Sequence, residues 1–193
     1  MDKPISIMRR IVFAALLLSA ALSHAAEFRA PETLSWNGKV YTLVYKRENL
    51  SDGRRLYEYT TNGESVDAWT TLLTFNYARG VVADPMEWLV ATKNSLDRTT
   101  PRPHYKLSKE GQSGLASIIY EPTVREPTYE SDVHRSYHVA ACGGLVIYQV
   151  AVKYAPAGDV SPQAKFAELD RIATENGRMA ETIKKSDWTP RCD

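Results

Sequence analysis

The sequence predicts a single α+β domain, in which two helices pack on an antiparallel sheet of about six or seven strands. Three observations support this class. Short segments rich in β-branched and aromatic residues are separated by turn signals, two segments show helical spacing with clear caps, and the chain order is three strands, a helix, four strands and a helix. Because the strands are grouped in sequence, antiparallel neighbours are favoured over a parallel sheet.

The first group contains three predicted strands. Lys39–Lys46 follows the turn signal Asn37-Gly38, and Arg55–Thr61 is the second strand. Trp69–Tyr77 follows the turn signal Asn62-Gly63 and is rich in the residue types that favour strands. These three segments therefore form the first half of the sheet.

Both predicted helices have recognisable beginnings. Asp84 is a suitable N-cap, Pro85 suits the first helical position, and the apolar pattern ends near Asp97. The second helix has Ser161 as its N-cap and Pro162 as its first residue, and an apolar stripe continues from there to a pair of lysines in the last turn. We expect each helix to bury its apolar stripe against the sheet.

Four further strands are predicted after the first helix: Tyr105–Ser108, Leu115–Tyr120, Val133–Ala141 and Leu145–Tyr154. Gly143-Gly144 predicts a tight hairpin between the last two. The last strand is apolar on both faces, which predicts a central strand covered on both sides. This order of elements is similar to that of the PsbP-like sandwich, a likeness of architecture that implies no function.

The first 25 residues have the three parts of a secretory signal peptide. Arg9-Arg10 is the positive flank, Ile11–Leu22 is the apolar run, and Ser23-His24-Ala25 provides small residues where signal peptidase cleaves. The alternative is a membrane anchor, but the run has 12 residues, whereas a span needs roughly 20. We therefore predict a signal peptide over 1–25, a single domain over 26–193, and a periplasmic location.

The net charge of the chain limits the classes of partner that it can bind. The chain has a formal charge of +1, and removing residues 1–25 takes away one acid and three bases, which leaves −1. A nearly neutral domain without a basic run has no electrostatic footprint for nucleic acid. It also lacks the lysine-rich amphipathic helix that binds membrane surfaces.

Cys142 and Cys192 are the chain's two cysteines. In an oxidising compartment such a pair usually forms a disulfide, which here would close a loop of about 50 residues. A redox-active pair is the alternative, but no CxxC spacing is present to lower a thiol pKa.

His134, His138 and Cys142 are each four residues apart, a spacing that would form a zinc site on a helix. This segment is predicted as a strand, where four residues span about 13 Å, too far for three ligands to share one metal. A half-exposed polar face is the expected structure. The same cysteine could act as a nucleophile with His138 as its base, but it is the expected disulfide partner.

No other segment forms a complete catalytic or cofactor motif. Gly111-Gln112-Ser113-Gly114 lacks the GxSxG order and is predicted as a hairpin turn. Four neighbouring acids could supply paired carboxylates for general acid–base catalysis, although such a run is usually a solvated face; they are Glu121, Glu126, Glu130 and Asp132. We predict no catalytic residue, no cofactor and no metal.

The tyrosines and tryptophans all lie beyond residue 25, and these residue types are favoured in protein interfaces. The segment between the predicted strands Leu115–Tyr120 and Val133–Ala141 combines them with acids. It is also longer than a structural connection needs. We therefore predict a partner-binding loop whose contact residues are Tyr120, Glu121, Glu126, Tyr129, Glu130 and Asp132.

One segment carries a family likeness. Tyr57-Glu58-Tyr59, followed by Gly63-Glu64-Ser65-Val66-Asp67-Ala68-Trp69 and a threonine-rich strand, resembles a segment of the periplasmic immunity proteins encoded beside antibacterial toxins. The likeness covers about 20 residues and ends near Tyr77. Locally, Glu64, Asp67 and Trp69 can also be explained as a strand entry with the acids outside and the tryptophan inside.

The resemblance implies a protein without catalytic activity that binds a cognate toxin and occludes its active site. Two other classes stay open: an exported hydrolase with a non-standard site, and an envelope assembly or ligand-binding domain. A deep pocket holding His138 or a close acidic pair would favour the hydrolase, and a large apolar cavity between sheet and helix would favour the ligand-binding domain. The sequence does not identify the partner or the oligomeric state.

Overall fold

The computed structural model describes residues 28–49, 51, 53–80, 84–156, 158, 161–186 and 191–192. The predicted signal peptide lies outside these residues. Ten strands and two α-helices are described: β1 Phe28–Arg29, β2 Thr33–Trp36, β3 Lys39–Asn49, β4 Arg54–Thr60, β5 Thr71–Arg79, α1 Pro85–Leu96, β6 His104–Glu110, β7 Ser113–Tyr120, β8 Tyr129–Val139, β9 Gly144–Tyr154, α2 Pro162–Lys184 and β10 Arg191–Cys192.

Eight strands form one antiparallel sheet in the order β2-β3-β4-β5-β9-β8-β7-β6, and β1 pairs with β10 in a separate two-stranded sheet. The predicted α+β class is confirmed, with a few more strands than expected. β9 lies between β5 and β8, and Val146, Val150 and Ala151 are fully buried. The prediction of a central, doubly covered last strand is therefore correct.

The helices pack on opposite faces of the sheet. On the first face, which we call the α2 face, Met179, Ala180 and Ile183 join aromatic residues of the central strands in the main core. On the second face, the α1 face, Trp88 and Leu89 pack over β6, β7 and β9. α1 covers only part of its face, so polar side chains of β8 and β9 lie beside it.

Both helix beginnings are confirmed by their caps. The Asp84 carboxylate accepts from the backbone N–H of Met86 at 2.7 Å, and the Ser161 hydroxyl accepts from that of Ala164 at 3.2 Å.

In the part of the chain that the structure describes, no helix is long and apolar enough to cross a membrane.

The buried face of α2 differs from the predicted apolar stripe at two positions, one near the start of the helix and one in its interior. Phe166 is 73% exposed, although it is part of the predicted stripe, whereas Asn176 is buried. The C-terminal end of the helix is fixed by Arg135 on β8, whose guanidinium donates to the carbonyls of Ile183 and Lys184 at 3.1 and 3.2 Å. A cation at this end satisfies free carbonyls and complements the helix dipole.

Asn37-Gly38 is a hairpin turn inside the sheet and not only the start of the first strand. Both residues have positive φ, 47° and 72°, the geometry that Asn-Gly supplies in a two-residue hairpin. The turn joins β2 to β3 in the register Trp36 to Lys39. The four-residue strand β2 is therefore an element that was not predicted from the sequence.

The predicted disulfide between Cys142 and Cys192 is present, with the two Cα atoms 5.4 Å apart. Cys142 lies in a short 3-10 helix after β8, and Cys192 lies in β10 opposite Phe28 of β1. Phe28 is buried and stacks on Tyr77 with ring centroids 4.6 Å apart. The bridge therefore ties both ends of the described chain to the core.

Candidate functional site

A group of carboxyl and aromatic side chains lies on the α1 face, at the end of the sheet where β7 leads into β8. Antiparallel pairing places Glu130 between Tyr120 of β7 and Lys153 of β9. Two residues along β8, Asp132 pairs with Ile118 and Ala151. Because alternate residues of a strand share a face, Glu130 and Asp132 are neighbours on one surface. We call Tyr120, Glu130, Asp132 and Lys153 the acid cluster.

Asp132 is the deepest member, with 4% of its surface exposed. Its Oδ2 accepts from the Gln149 amide at 3.2 Å and lies 3.4 Å from Nε2 of His134. Its Oδ1 is buried and has no hydrogen-bond partner among the described residues. A buried carboxylate oxygen without a donor is costly, so this atom needs an explanation.

Glu130 explains why Asp132 Oδ1 can be buried without a visible donor. Burial raises the pKa of Glu130 to about 7, and the negative charge of Asp132 acts in the same direction. Burial, followed by the charges of Asp132 and Glu130, raises the pKa of Tyr120 to about 12. All three groups therefore affect one another, and Glu130 holds a proton at a pH where most carboxyls have lost theirs.

Lys153 connects the acid cluster to two loops. Its ammonium lies 4.5 Å from the centre of the Trp69 ring and 3.7 Å from Oε2 of Glu126. A lysine over a tryptophan face gains a cation–π attraction. Trp69 ends the segment that carries the family likeness, so this segment and the predicted binding loop meet at one lysine.

The acids of that segment have different roles. Glu64 turns back into its own loop, where its carboxylate accepts from the backbone N–H and the hydroxyl of Thr70 at 3.0 and 2.7 Å. Asp67 is exposed and Trp69 is half-buried. The strand-entry explanation therefore holds for Asp67 and Trp69. Glu64 instead fixes the conformation of its own loop through its two hydrogen bonds to Thr70.

The loop over residues 121–128 is shorter than predicted, because β8 begins at Tyr129. It is attached to α2 through Glu121, whose carboxylate accepts from Lys165 at 2.5 Å and from Nε2 of His104 at 2.9 Å. The Lys165 hydrogen bond is the main cause that holds the pKa of Glu121 below its ordinary value. Glu126 is 69% exposed at its side chain.

Tyr129 does not belong to this surface. It points to the α2 face, where it is 5% exposed and packs with Ile119 and Ile172. Its predicted role as a partner contact therefore conflicts with its position in the core. Strand alternation is the reason: once β8 begins at Tyr129, neighbouring residues point to opposite faces.

The structure brings together Tyr120, Glu126, Glu130 and Asp132 of the predicted contact set, places Glu121 against α2, and buries Tyr129. Sequence reasoning did not assign Lys153, Gln149 or Trp69 to this site. The register of β8 with β9 and the position of the loop before β5 bring them there, and neither is readable from local sequence.

His134 and His138 lie on β8 as predicted, and the described residues contain no group of side chains able to hold a metal.

Two open grooves flank α2 on the opposite face. One, of about 470 Å³, lies between α2 and β6–β7 and includes His104, Ser117 and Asn176. The other, of about 560 Å³, is lined by aromatic residues of β2, β3 and β9, among them Trp36 and Tyr41. Both have the size of small-ligand sites.

Apolar side chains are exposed near the loop. Val124 at its tip is fully exposed, and Phe166 follows the lysine that holds Glu121. Both lie at the end of the domain where the loop is attached to α2, so they are available to a partner that contacts this loop.

Residues 28–188 match one protein-family model, which carries no functional description. A protein of uncharacterised function from Haemophilus influenzae (strain Rd) is 22% identical over 149 residues, which are 74% of this chain and 76% of that protein. No solved structure matches the chain.

Proposed function

The chain belongs to the family matched over residues 28–188, and we propose that it is a periplasmic binding and inhibitor protein, most specifically an immunity protein that occludes a cognate antibacterial toxin. The observation that carries the proposal is the loop 121–128, which presents exposed apolar and charged side chains while being held from two sides.

Pre-organisation is the first argument. Glu121 is fixed by Lys165 and His104, Glu126 pairs with Lys153, and the backbone N–H of Thr123 donates to the carbonyl of Glu126 at 2.7 Å. A loop that is ordered before binding loses less conformational entropy in the complex. This is the property that a tight inhibitor requires.

Chemical character is the second argument. Val124 and Phe166 supply apolar contact area, and Trp69 supplies an aromatic ring beside the loop. The exposed side chains of Arg125 and Glu126 add one charge of each sign at the same end, and Glu126 also pairs with Lys153. Such a surface suits a partner whose complementary patch is apolar and carries charges opposite to these two.

Location is part of the proposal. The pattern over residues 1–25 favours export, and a disulfide is most common in proteins of oxidising compartments. A toxin that acts in the periplasm is then the class of partner that this protein meets.

The test is a pull-down from envelope and secreted fractions with mass spectrometry, using the purified protein and two charge-reversal variants as baits. Glu126→Lys should reduce recovery of a stoichiometric partner by at least about tenfold, because it reverses an exposed charge on the loop and replaces the Lys153 ion pair with a repulsion. Glu181→Lys, an exposed position on α2, is the matched control and should bind as the wild type does. Equal loss or equal retention in both variants places the interface elsewhere, and no partner for any bait rejects the proposal.

A hydrolase is the second candidate, because Glu130 and Asp132 form the close acidic pair that general acid–base chemistry uses. A half-buried carboxyl that keeps its proton near neutral pH beside a second carboxylate has the properties of a catalytic acid. Turnover of fluorogenic ester or glycoside substrates that is lost in Glu130→Gln would support it, and absence of turnover across such a panel would reject it.

A further inference from the structure

We propose that Glu130 and Asp132 share one proton, and that its loss moves the Lys153 ammonium from Glu126 to Glu130 and so releases the loop 121–128. We call the ion pair between Lys153 and Glu126, which holds the loop, the latch. The latch does not depend on the proposed function, because it concerns contacts within the chain alone.

Within the described part of the chain, Asp132 lacks a hydrogen-bond donor for one of its two carboxylate oxygens. Asp132 Oδ2 is served by Gln149 and lies near His134, but Oδ1 is buried without a donor. Glu130 lies two residues away on the same face of β8. As two ionised carboxylates, both groups would only accept hydrogen bonds; with one proton, Glu130 becomes the donor that Asp132 lacks.

The second step is the surroundings of Glu130. The titratable and charged groups that face Glu130 are Tyr120 from β7, Asp132 from β8, Lys153 from β9 and Glu126 from the loop. On the other side of the pair, His134 of β8 lies 3.4 Å from Oδ2 of Asp132. Within this group the cation that faces Glu130 is Lys153, which already pairs with Glu126.

The third step is competition for Lys153. Its ammonium is 3.7 Å from Glu126, a distance that indicates a loose ion pair, and Glu126 is mostly exposed. Glu130 is the register partner of Lys153 and is more buried, so an ionised Glu130 attracts the ammonium in a lower dielectric. When Lys153 moves, Glu126 and the Trp69 ring both lose their contact with it.

The direction with pH follows from the pKa of Glu130. Its ordinary value is 4.5 and the folded protein raises it to about 7. The folded state therefore holds this proton more tightly than the unfolded chain does. The stabilisation from this proton is present below about pH 4.5 and is lost as the pH rises through about 7. The latch therefore opens as the pH rises through about 7, and it is closed in the mildly acidic range where Glu126 is ionised and Glu130 keeps its proton.

The test follows the side-chain carboxyl signals of the purified protein by carbon-detected NMR between about pH 4 and 9, together with hydrogen exchange of the 121–128 amides corrected for the intrinsic rate. We expect Glu130 to titrate with a midpoint near 7 and the loop amides to exchange at least about fivefold faster above it. Glu130→Gln keeps a donor for Asp132 at every pH, and its loop exchange should show no step.

Glu121→Gln is the matched control, because its contacts lie with α2 and His104. It should speed loop exchange at all pH values while keeping the step near neutral pH. A Glu130 midpoint below about pH 5, which is ordinary for a glutamate, overturns the shared proton. A midpoint near 7 without any change in loop exchange overturns the latch. Neither outcome bears on whether the protein binds a toxin, which the pull-down decides separately.

Discussion

Replacing both cysteines, Cys142→Ala with Cys192→Ala, is expected to lower the free energy of unfolding by about 4 kcal/mol. The bridge spans 50 residues of sequence, and cross-linking a loop of that length removes much of the conformational freedom of the unfolded chain. Urea unfolding followed by tyrosine and tryptophan fluorescence measures the change as a lower midpoint.

The wild-type protein in reductant is the control for this variant. Reduced wild type and the double variant should unfold at closely similar urea concentrations, and reductant should not affect the variant. We expect the core contacts near Cys142 to persist without the bridge, because the Tyr77 hydroxyl donates at 2.7 Å to the backbone carbonyl of residue 142, which alanine also provides. A variant within about 1 kcal/mol of oxidised wild type would contradict the chain-entropy account.

Local chemistry explains which elements were predictable. Asp84 and Ser161 each cap a helix through a side chain that reaches a backbone N–H two or three residues later, and the neighbouring prolines fix the first helical position. These determinants lie within a few residues of one another. The helices could therefore be placed from sequence without knowing what they pack against.

Two of the missed strands, β1 and β10, depend on distant partners. β1 and β10 are two residues each and exist because Phe28 and Cys192 meet across the whole chain. β8 begins at Tyr129, four residues before the predicted start, because Tyr129 pairs with Tyr154 of β9. Pairing of this kind is set by tertiary contacts, which no window of local sequence contains.

The acid cluster likewise combines features that local sequence determines with features that depend on distant strand pairing. The alternation of β8 separates Tyr129 from Glu130 and unites Glu130 with Asp132, which sequence could have indicated had the strand start been known. The placement of Lys153 opposite Glu130 required the β8–β9 register. The unpartnered Oδ1 of Asp132 is visible only when every buried donor and acceptor is accounted for.

Asn176→Ala on α2 is expected to lower the free energy of unfolding by about 3 kcal/mol, because it removes the donor for several buried acceptors. The Asn176 amide nitrogen lies 2.9 Å from both the Asp132 carbonyl and the Ser131 hydroxyl, and 3.3 Å from the Ile118 carbonyl. This side chain fixes β8 from the α2 face at the residue that carries the unpartnered carboxylate on the α1 face.

Gly177→Ala is the matched control, one residue along the helix. A Cβ at Gly177 meets nothing within 4 Å, so the substitution should raise stability by about 0.5–1 kcal/mol through helix propensity alone. The two neighbouring changes should therefore move the urea midpoint in opposite directions. A loss below about 1 kcal/mol in Asn176→Ala would mean that water replaces the amide. A full loss, with faster exchange at Ser131 and Asp132, would show that α2 holds the strand on which the acid cluster is built.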